Sequence, residues 1–225
     1  VEDLIHKYRP RAKHPALADL LFDKAKQQLL EAGTEKRIKE IISWVRQEIC
    51  HHSQSEREPL KVAIIGEIYT ILEPFTNADV ERYLGHLGVE VDRSIYLSGW
   101  VGEHIFRGLS EGYRPVKPYH KNAKPYLSHF VGGHGLESVG SAVTFAKAGF
   151  DGIIHLLPLG CMPEIVASSI LPRVQEDFHI PIMSLTVDEH TGVAGIHTRL
   201  EAFVDLIARS KRRSEKMRED VLSIG

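Results

Sequence analysis

The stretch GFDGIIHLLPLGCMPE, residues 149–164, carries the pattern that decides the fold. Gly149 ends a helix-period segment, Ile153 to Leu157 is a buried strand-like run, and Gly160-Cys161-Met162-Pro163 turns the chain into another helix-period segment. Pro163 suits the first position of a helix, because the N–H that proline lacks has no partner there. The stretch therefore predicts a strand, a tight turn and a helix in direct succession.

The same alternation continues on both sides of this stretch. Upstream, Val62 to Ile65 and Val89 to Leu97 are predicted strands, and a helix is predicted between them from about Asn77 to Leu87. Downstream, Ile182 to Val187 is a predicted strand, and the capping-box spacing Thr198-Arg199-Leu200-Glu201 predicts the start of the final helix. Because strands that alternate with helices form parallel sheets, we expect an α/β fold with a doubly wound, Rossmann- or flavodoxin-like sheet.

The first 58 residues have a different pattern. Apolar residues recur at helix spacing in two segments between residues 15 and 50, and a polar connector from Cys50 to Pro59 follows them. We therefore expect a helical lead-in with its connector over 1–58 and the α/β domain over 59–225. The pair His51-His52 lies in this connector, where solvated histidines are favoured over metal ligands. A further helix is predicted around Val101 to Leu109.

Composition argues against several classes of partner. The 225 residues carry a formal net charge of -2, so no excess of positive charge attracts nucleic acid or anionic lipid. No apolar run approaches the roughly 20 residues of a membrane-spanning helix, and no signal-peptide pattern opens the chain. Cys50 and Cys161 form neither a disulfide framework nor a CxxC metal knuckle. We expect a cytoplasmic protein that binds a small molecule or another protein, and neither nucleic acid nor a membrane.

Candidate ligand-binding residues lie at the predicted carboxyl ends of the strands, where helix N-termini converge in open parallel sheets. The run from Gly132 through Gly133 and His134 to Gly135 can cradle a phosphate or be a plain tight turn. His134 can donate to an anion or act as an acid or base. The acidic groups that follow strands can serve a ligand or cap backbone amides; they are Glu67, Asp188 and Glu189.

Cys161 is the sharpest candidate. It follows a predicted buried strand and precedes a helix, so the positive end of that helix favours its thiolate. A thiolate binds soft metals and attacks carbon, and Gly160 allows the close turn that an open coordination site needs. The alternative for any free cysteine is a small buried apolar residue. We therefore expect Cys161 as a metal ligand and Gly160, the glycine run and Glu67 as cofactor-binding residues; no catalytic residue is identified.

An ordered set of motifs carries a resemblance to a known family. The motifs are GEIY at 66–69, GGHG at 132–135, GFDGII at 149–154, PLGCMPE at 158–164, IPI at 180–182, DE at 188–189 and TRLEAF at 198–203. From about Lys61 to Ile207 the chain resembles the D-component family of 2-hydroxyglutaryl-CoA dehydratase. It is most similar to the relatives named acyl-CoA dehydratase activase-related proteins or CoA protein activases.

The resemblance implies an iron–sulfur redox protein with two Rossmann-like domains and a 4Fe-4S cluster held by cysteines from both. Dehydratases of the family use the cluster to pass an electron into a 2-hydroxyacyl-CoA, whose hydroxyl group is expelled. Cys161 matches the cysteine ligand of the C-terminal half. The family's other ligands lie in an N-terminal half, whereas only Cys50 precedes Cys161 here. We therefore expect the C-terminal part of a longer protein, with the cluster incomplete or absent in this chain alone.

Three functional hypotheses follow from the resemblance and the motifs. The chain is a dehydratase-like lyase or electron-transfer component, a non-catalytic partner or regulatory module of an acyl-CoA dehydratase system, or a cluster-free binder of a phosphate ligand. The expected partners are an acyl-CoA substrate, a dehydratase or activator protein, and an N-terminal domain of the same protein. The sequence does not contain the P-loop motif, which is GxxxxGK followed by Ser or Thr. ATP hydrolysis is therefore not predicted.

Overall fold

A computed structural model describes residues 1–52, 58–97 and 119–222 of the chain. Within them the strands are β1, Leu60–Gly66; β2, Val89–Arg93; β3, Gly152–Pro158; and β4, Ile182–Val187. These four strands form one parallel sheet in the order β2-β1-β3-β4, and helices flank it. The predicted doubly wound α/β fold with its helical lead-in is confirmed.

The helices of the described residues follow the predicted alternation closely. In chain order they are α1, Glu2–Tyr8; α2, Pro15–Leu30; α3, Glu35–His52; α4, Ile68–Leu72; α5, Val80–His86; α6, Tyr119–Ala123; α7, Gly135–Lys147; α8, Met162–Phe178; and α9, Val193–Leu222. A short 3-10 helix, Arg9–Arg11, follows α1. Strand β2 ends at Arg93, short of the predicted Leu97. The helix predicted around Val101 to Leu109 lies outside the described residues.

Burial explains why the central strands form. Strands β1 and β3 pair in register from Val62↔Gly152 to Gly66↔Leu156, and nearly every residue of both strands is buried. Such continuous apolar runs are typical of parallel strands that are covered on both faces. Helices α7 and α8 pack against one face in a common core cluster with the strands: Ala63, Ile65, Ala142, Val143, Phe145, Ile153, Leu171, Val174 and Ile180.

The predicted start of the last helix at Thr198 is wrong. Helix α9 begins at Val193, and the Thr198 hydroxyl donates to the carbonyl of Ala194, one turn earlier, at 2.9 Å. The buried apolar residues Ile196 and Leu200 already share one helix face, so the helical period extends upstream of the supposed cap. Thr198 is therefore an interior helix residue that bonds back to its own helix.

The described chain divides into two compact units. One comprises Val1–Lys61 and Glu81–Asp92, and the other comprises Val62–Val80 and Arg93–Gly225. The first unit thus holds the predicted lead-in together with a segment that the sequence assigns to the α/β domain. His51 and His52 were predicted in a connector, but they form the last residues of helix α3. None of the helices in the described parts of the chain combines the length and apolar character needed to cross a membrane.

The first unit is held by an apolar cluster and by a buried carboxylate. Its lead-in helices share a buried core of Ile5, Tyr8, Ala18, Ala25, Ile41 and Val45. Asp19 accepts hydrogen bonds from Nε of Arg9 at 2.9 Å and Nε of Arg82 at 3.0 Å, and its Oδ2 lies 2.7 Å from Nε2 of His86. Burial by itself would raise the pKa of Asp19, but the His86 hydrogen bond and the charges of Arg9 and Arg82 outweigh it and lower that pKa.

The substitution Asp19→Asn is expected to lower the free energy of unfolding by about 2 kcal/mol at pH 7, since it removes a charged acceptor from the buried Arg9. Because the folded pKa lies below the unfolded one, the contribution of Asp19 is present above about pH 4 and disappears as pH falls through the folded pKa. Urea unfolding at pH 7 and pH 3 measures both effects. Asp3→Asn, in an exposed pair with Lys7, is the control and should change stability by less than about 1 kcal/mol.

Candidate functional site

The turn after β3 presents Cys161 at the N-cap of helix α8. Its backbone is extended, with φ -70° and ψ 98°, and its carbonyl accepts the N–H of Ile165 at 2.9 Å. The Cys161 amide donates to the carbonyl of Pro158 at 3.1 Å, which closes the turn. The thiol makes no capping hydrogen bond and is partly exposed. A free sulfur therefore lies at the positive end of a 17-residue helix.

Exposed apolar side chains lie beside Cys161 in the sequence of this turn. Leu159 is 70% exposed, Met162 is 68% exposed and Ile165 is 44% exposed. Large apolar side chains grouped on a surface commonly mark a place where another molecule binds. The turn thus combines a free thiol with apolar contact surface.

Gly160 is required by backbone conformation. Its φ of +81° lies in the left-handed region, where side chains with a Cβ are strained. Apart from its own two chain neighbours, no atom of the described residues lies within 4 Å of the position that its Cβ would occupy, so close packing is not the reason for glycine here. The space beside Cys161 at Gly160 is open.

The glycine run packs directly against the Cys161 turn. A Cβ on Gly135 would lie 2.3 Å from the Pro163 carbonyl oxygen, and one on Gly133 would lie 3.1 Å from Cγ of Pro163. Gly132 and Gly133 both have positive φ. His134 is the N-cap of α7 without a side-chain cap, and its Nε2 lies 3.8 Å from the Glu137 carboxylate. The structure therefore brings two predicted segments, and the N-termini of α7 and α8, together.

Glu67 is a helix cap in this structure. Its carboxylate accepts the N–H of Thr70 at 3.0 Å at the start of α4, and its own amide donates to the carbonyl of Leu156 at 3.1 Å. Gly66 has φ +135°, and a Cβ there would lie 1.9 Å from the Leu156 carbonyl oxygen. The loop after β1 is thus held tightly against β3, and the Glu67 carboxylate serves the backbone.

The acidic loop after β4 is also organised by local hydrogen bonds. The Thr191 hydroxyl donates to Asp188 at 2.7 Å and the His190 amide donates to it at 3.0 Å. The hydrogen bond from Thr191 is the main cause that lowers the pKa of Asp188. Desolvation opposes this shift, and the hydrogen bond from the His190 amide lowers the pKa further. Glu189 is exposed and lies 3.7 Å from the ring of His190. Asp188 therefore shapes its own turn.

A buried polar network beneath the Cys161 turn was not predicted from the sequence. Glu164, in the first turn of α8, lies 2.7 Å from Nε2 of His155 in β3, and both side chains are 0% exposed. Ser138 of α7 donates to the other Glu164 oxygen at 3.1 Å, and Ser184 of β4 lies 3.2 Å from Nδ1 of His155. Four elements are thus tied together by one chain of hydrogen bonds.

Two signals in the sequence could have found this network. His155 interrupts the otherwise apolar strand IIHLLP, and a histidine there must have a polar partner. Glu164 lies at the third helical position, where a glutamate commonly bonds back to the N-cap amide. That amide, on Cys161, instead donates to Pro158, so the Glu164 carboxylate is available to His155.

The described residues do not fit a complete iron–sulfur cluster. Across residues 1–52, 58–97 and 119–222 there is no group of three or more His, Cys, Asp or Glu side chains placed to hold a metal ion. A 4Fe-4S cluster takes about four thiolate ligands. Cys161 can supply one of them.

A scan against protein-family models finds no family that matches this chain, and a search of curated proteins finds no significant match.

Proposed function

We propose that this chain is the α/β part of an iron–sulfur redox protein related to the 2-hydroxyacyl-CoA dehydratases. Cys161 supplies one thiolate to a 4Fe-4S cluster, and the remaining ligands come from another protein domain. The observation that carries the proposal is the free thiol of Cys161, which is partly exposed at the N-cap of α8 and makes no hydrogen bond to the backbone amides of that helix. The ordered motifs at 66–69, 132–135 and 158–164 support the same assignment.

The physical chemistry of the turn suits this role. The N-terminus of α8 favours negative charge, and iron binds cysteine as the thiolate. Thiolate is the soft ligand of iron–sulfur clusters. The exposed Leu159, Met162 and Ile165 would surround the sulfur with apolar surface once a second domain covers them, and solvent exclusion is one of the factors that set a cluster's potential.

The elements that position Cys161 are well anchored. Glu164, three residues after the cysteine, is tied to β3 through His155 and to α7 through Ser138. A ligand held on packed elements keeps its place better than one on an unsupported loop. In this proposal the chain's own residues hold and orient one thiolate, and the cluster, when bound, supplies the one-electron chemistry.

A second candidate function is the binding of a phosphate ligand without a cluster. It is favoured by the contact between the glycine run and Pro163, which brings the N-termini of α7 and α8 together. Helix N-termini attract anions, and two of them lie side by side here. A non-catalytic partner of an acyl-CoA dehydratase would use the same surface around Cys161. A screen of 2-hydroxyacyl-CoAs with an electron donor and an activator distinguishes such a partner from a catalyst.

The visible absorption spectrum separates the two candidates. We expect the chain, purified anaerobically together with its native partner domain, to show the broad charge-transfer absorption of a cluster, which bleaches on reduction. The 225-residue chain alone, reconstituted with iron and sulfide, is expected to remain colourless after desalting, since it offers one thiolate at this site. A colourless native complex would contradict the cluster, and a stable stoichiometric cluster on the chain alone would contradict the shared site.

A further inference from the structure

Ser184 lies at the accessible end of the buried network. It is exposed on strand β4, and its register partner in β3 is the fully buried His155. The two side chains share one face of the sheet, with Ser184 Oγ 3.2 Å from His155 Nδ1. A serine in contact with solvent is thus bonded to an imidazole that solvent does not reach.

The direction of each hydrogen bond in the network follows from Glu164. A carboxylate at this position can only accept hydrogen bonds. A neutral His155 beside this carboxylate carries its proton on Nε2, 2.7 Å from Glu164, and its Nδ1 then presents a lone pair. That lone pair accepts the hydroxyl hydrogen of Ser184. Each group in the row then donates a hydrogen bond to the next, Ser184 to His155 and His155 to the Glu164 carboxylate.

This polarity is the arrangement that activates a nucleophilic serine. The histidine can take the serine proton as a general base, and the carboxylate fixes its tautomer and stabilises the imidazolium that forms. Ser138 donates to the second oxygen of Glu164 at 3.1 Å, so the carboxylate is held from both sides. The three roles are held by residues of β4, β3 and α8, with Ser138 of α7 in support, and none of them involves Cys161.

Among the described residues β4 is the last strand of the sheet, and its outer edge carries a backbone donor beside the same hydroxyl. The Pro181 carbonyl accepts the Ile153 amide of β3, whereas the Ile182 amide donates to the Gln175 side chain and thus faces away from β3. Because alternate residues of a strand bond to opposite sides, the amide of Ser184 also faces the outer edge. A nucleophile's own amide can stabilise the oxyanion of acyl transfer.

A groove of about 750 Å³ is lined mainly by apolar side chains, and its lining ends along β4 at Met183, one residue before Ser184. Ile182 and Met183, which directly precede Ser184, line it together with Phe203 and Leu206 of α9. An apolar pocket of this size accommodates a medium-length acyl chain. We propose that Ser184, with His155 as base and Glu164 as the orienting acid, is a nucleophile for acyl transfer from esters with apolar acyl chains.

The step is balanced by these residues and water. Ser184 Oγ bonds to the ester carbonyl carbon while its proton passes to Nδ1 of His155. The bond to the leaving alkoxide then breaks, and the imidazolium returns the proton to give the free alcohol and an acyl-serine. Water attacks the acyl-serine with His155 again as base, which releases the carboxylic acid and restores the serine.

Covalent labelling of the intact chain tests the proposal. A fluorophosphonate probe is expected to modify Ser184 with 1:1 stoichiometry, located by mass spectrometry of the labelled peptide, and p-nitrophenyl octanoate is expected to give a burst of p-nitrophenol. Ser184→Ala should abolish both signals, and Glu164→Gln should slow labelling by about 100-fold or more. Ser169→Ala, on the exposed surface of α8, is the matched control and should label normally.

Each other outcome contradicts the proposal. Absence of labelling in the intact chain would exclude an activated serine, and labelling that persists in Ser184→Ala would place the reactive residue elsewhere. Ser184 is exposed, so its alanine variant should keep the far-ultraviolet circular dichroism spectrum of the wild type. Equal labelling of a folded Glu164→Gln variant and the wild type would contradict the role of Glu164 as the orienting acid.

Discussion

Replacing Glu164 by leucine is expected to lower the free energy of unfolding by about 3–5 kcal/mol. The substitution leaves the Nε2–H of His155 and the hydroxyl of Ser138 without their acceptor, and both groups are buried. A buried donor without an acceptor loses its bonds to water and gains none in return. Urea unfolding of the variant and the wild type, followed by circular dichroism, measures the difference.

A double-mutant cycle shows whether this cost arises from the pair. His155→Leu should be similarly destabilising, whereas the combination His155→Leu/Glu164→Leu should recover much of the loss, because an apolar pair needs no partners. Glu176→Leu, at an exposed position of the same helix, is the control and should change stability by less than about 1 kcal/mol. Losses that simply add in the double variant would show that the two side chains are not coupled.

The central sheet could be predicted because its strands have only one stable environment. The apolar runs of β1 and β3 must be buried on both faces, and the glycines and prolines between them mark turns. Strand β4 matches its predicted bounds, Ile182 to Val187. Burial of long apolar segments therefore determines both the elements and the fold class.

Short and tertiary features could not be predicted in the same way. Helix α4 has five residues and depends on the Glu67 cap and on contact with β3, so it has no pattern of its own. The capping-box spacing at Thr198 occurs by chance within a longer helix, which begins at Val193 and buries Ile196. Where a local motif and tertiary packing favour different structures, packing determines which structure forms.

The candidate site was predicted in part. The position of Cys161 between a strand and a helix is a local property, and the structure has it at the N-cap of α8. The contact of Gly135 with Pro163 and the bond between His155 and Glu164 depend on how α7, α8 and β3 pack together. The sequence marks His155 and Glu164 as polar residues in need of partners, but only the packing shows which partners they have.

Substitution of Cys161 has the largest expected effect on the proposed function. Cys161→Ala removes the one thiolate that the described turn supplies, and alanine offers iron no ligand in its place. We expect the cluster to be lost from the native complex, not merely weakened. Cys50→Ala is the matched control, since Cys50 is also free and lies exposed near the end of α3.

Iron and acid-labile sulfide analysis of the anaerobically purified native complex tests the shared-cluster proposal most directly. The wild type and Cys50→Ala are predicted to contain about four iron and four sulfide per complex, and Cys161→Ala is predicted to contain neither in stoichiometric amount. Full iron and sulfide content in the Cys161→Ala complex would contradict the assignment of Cys161 as a cluster ligand.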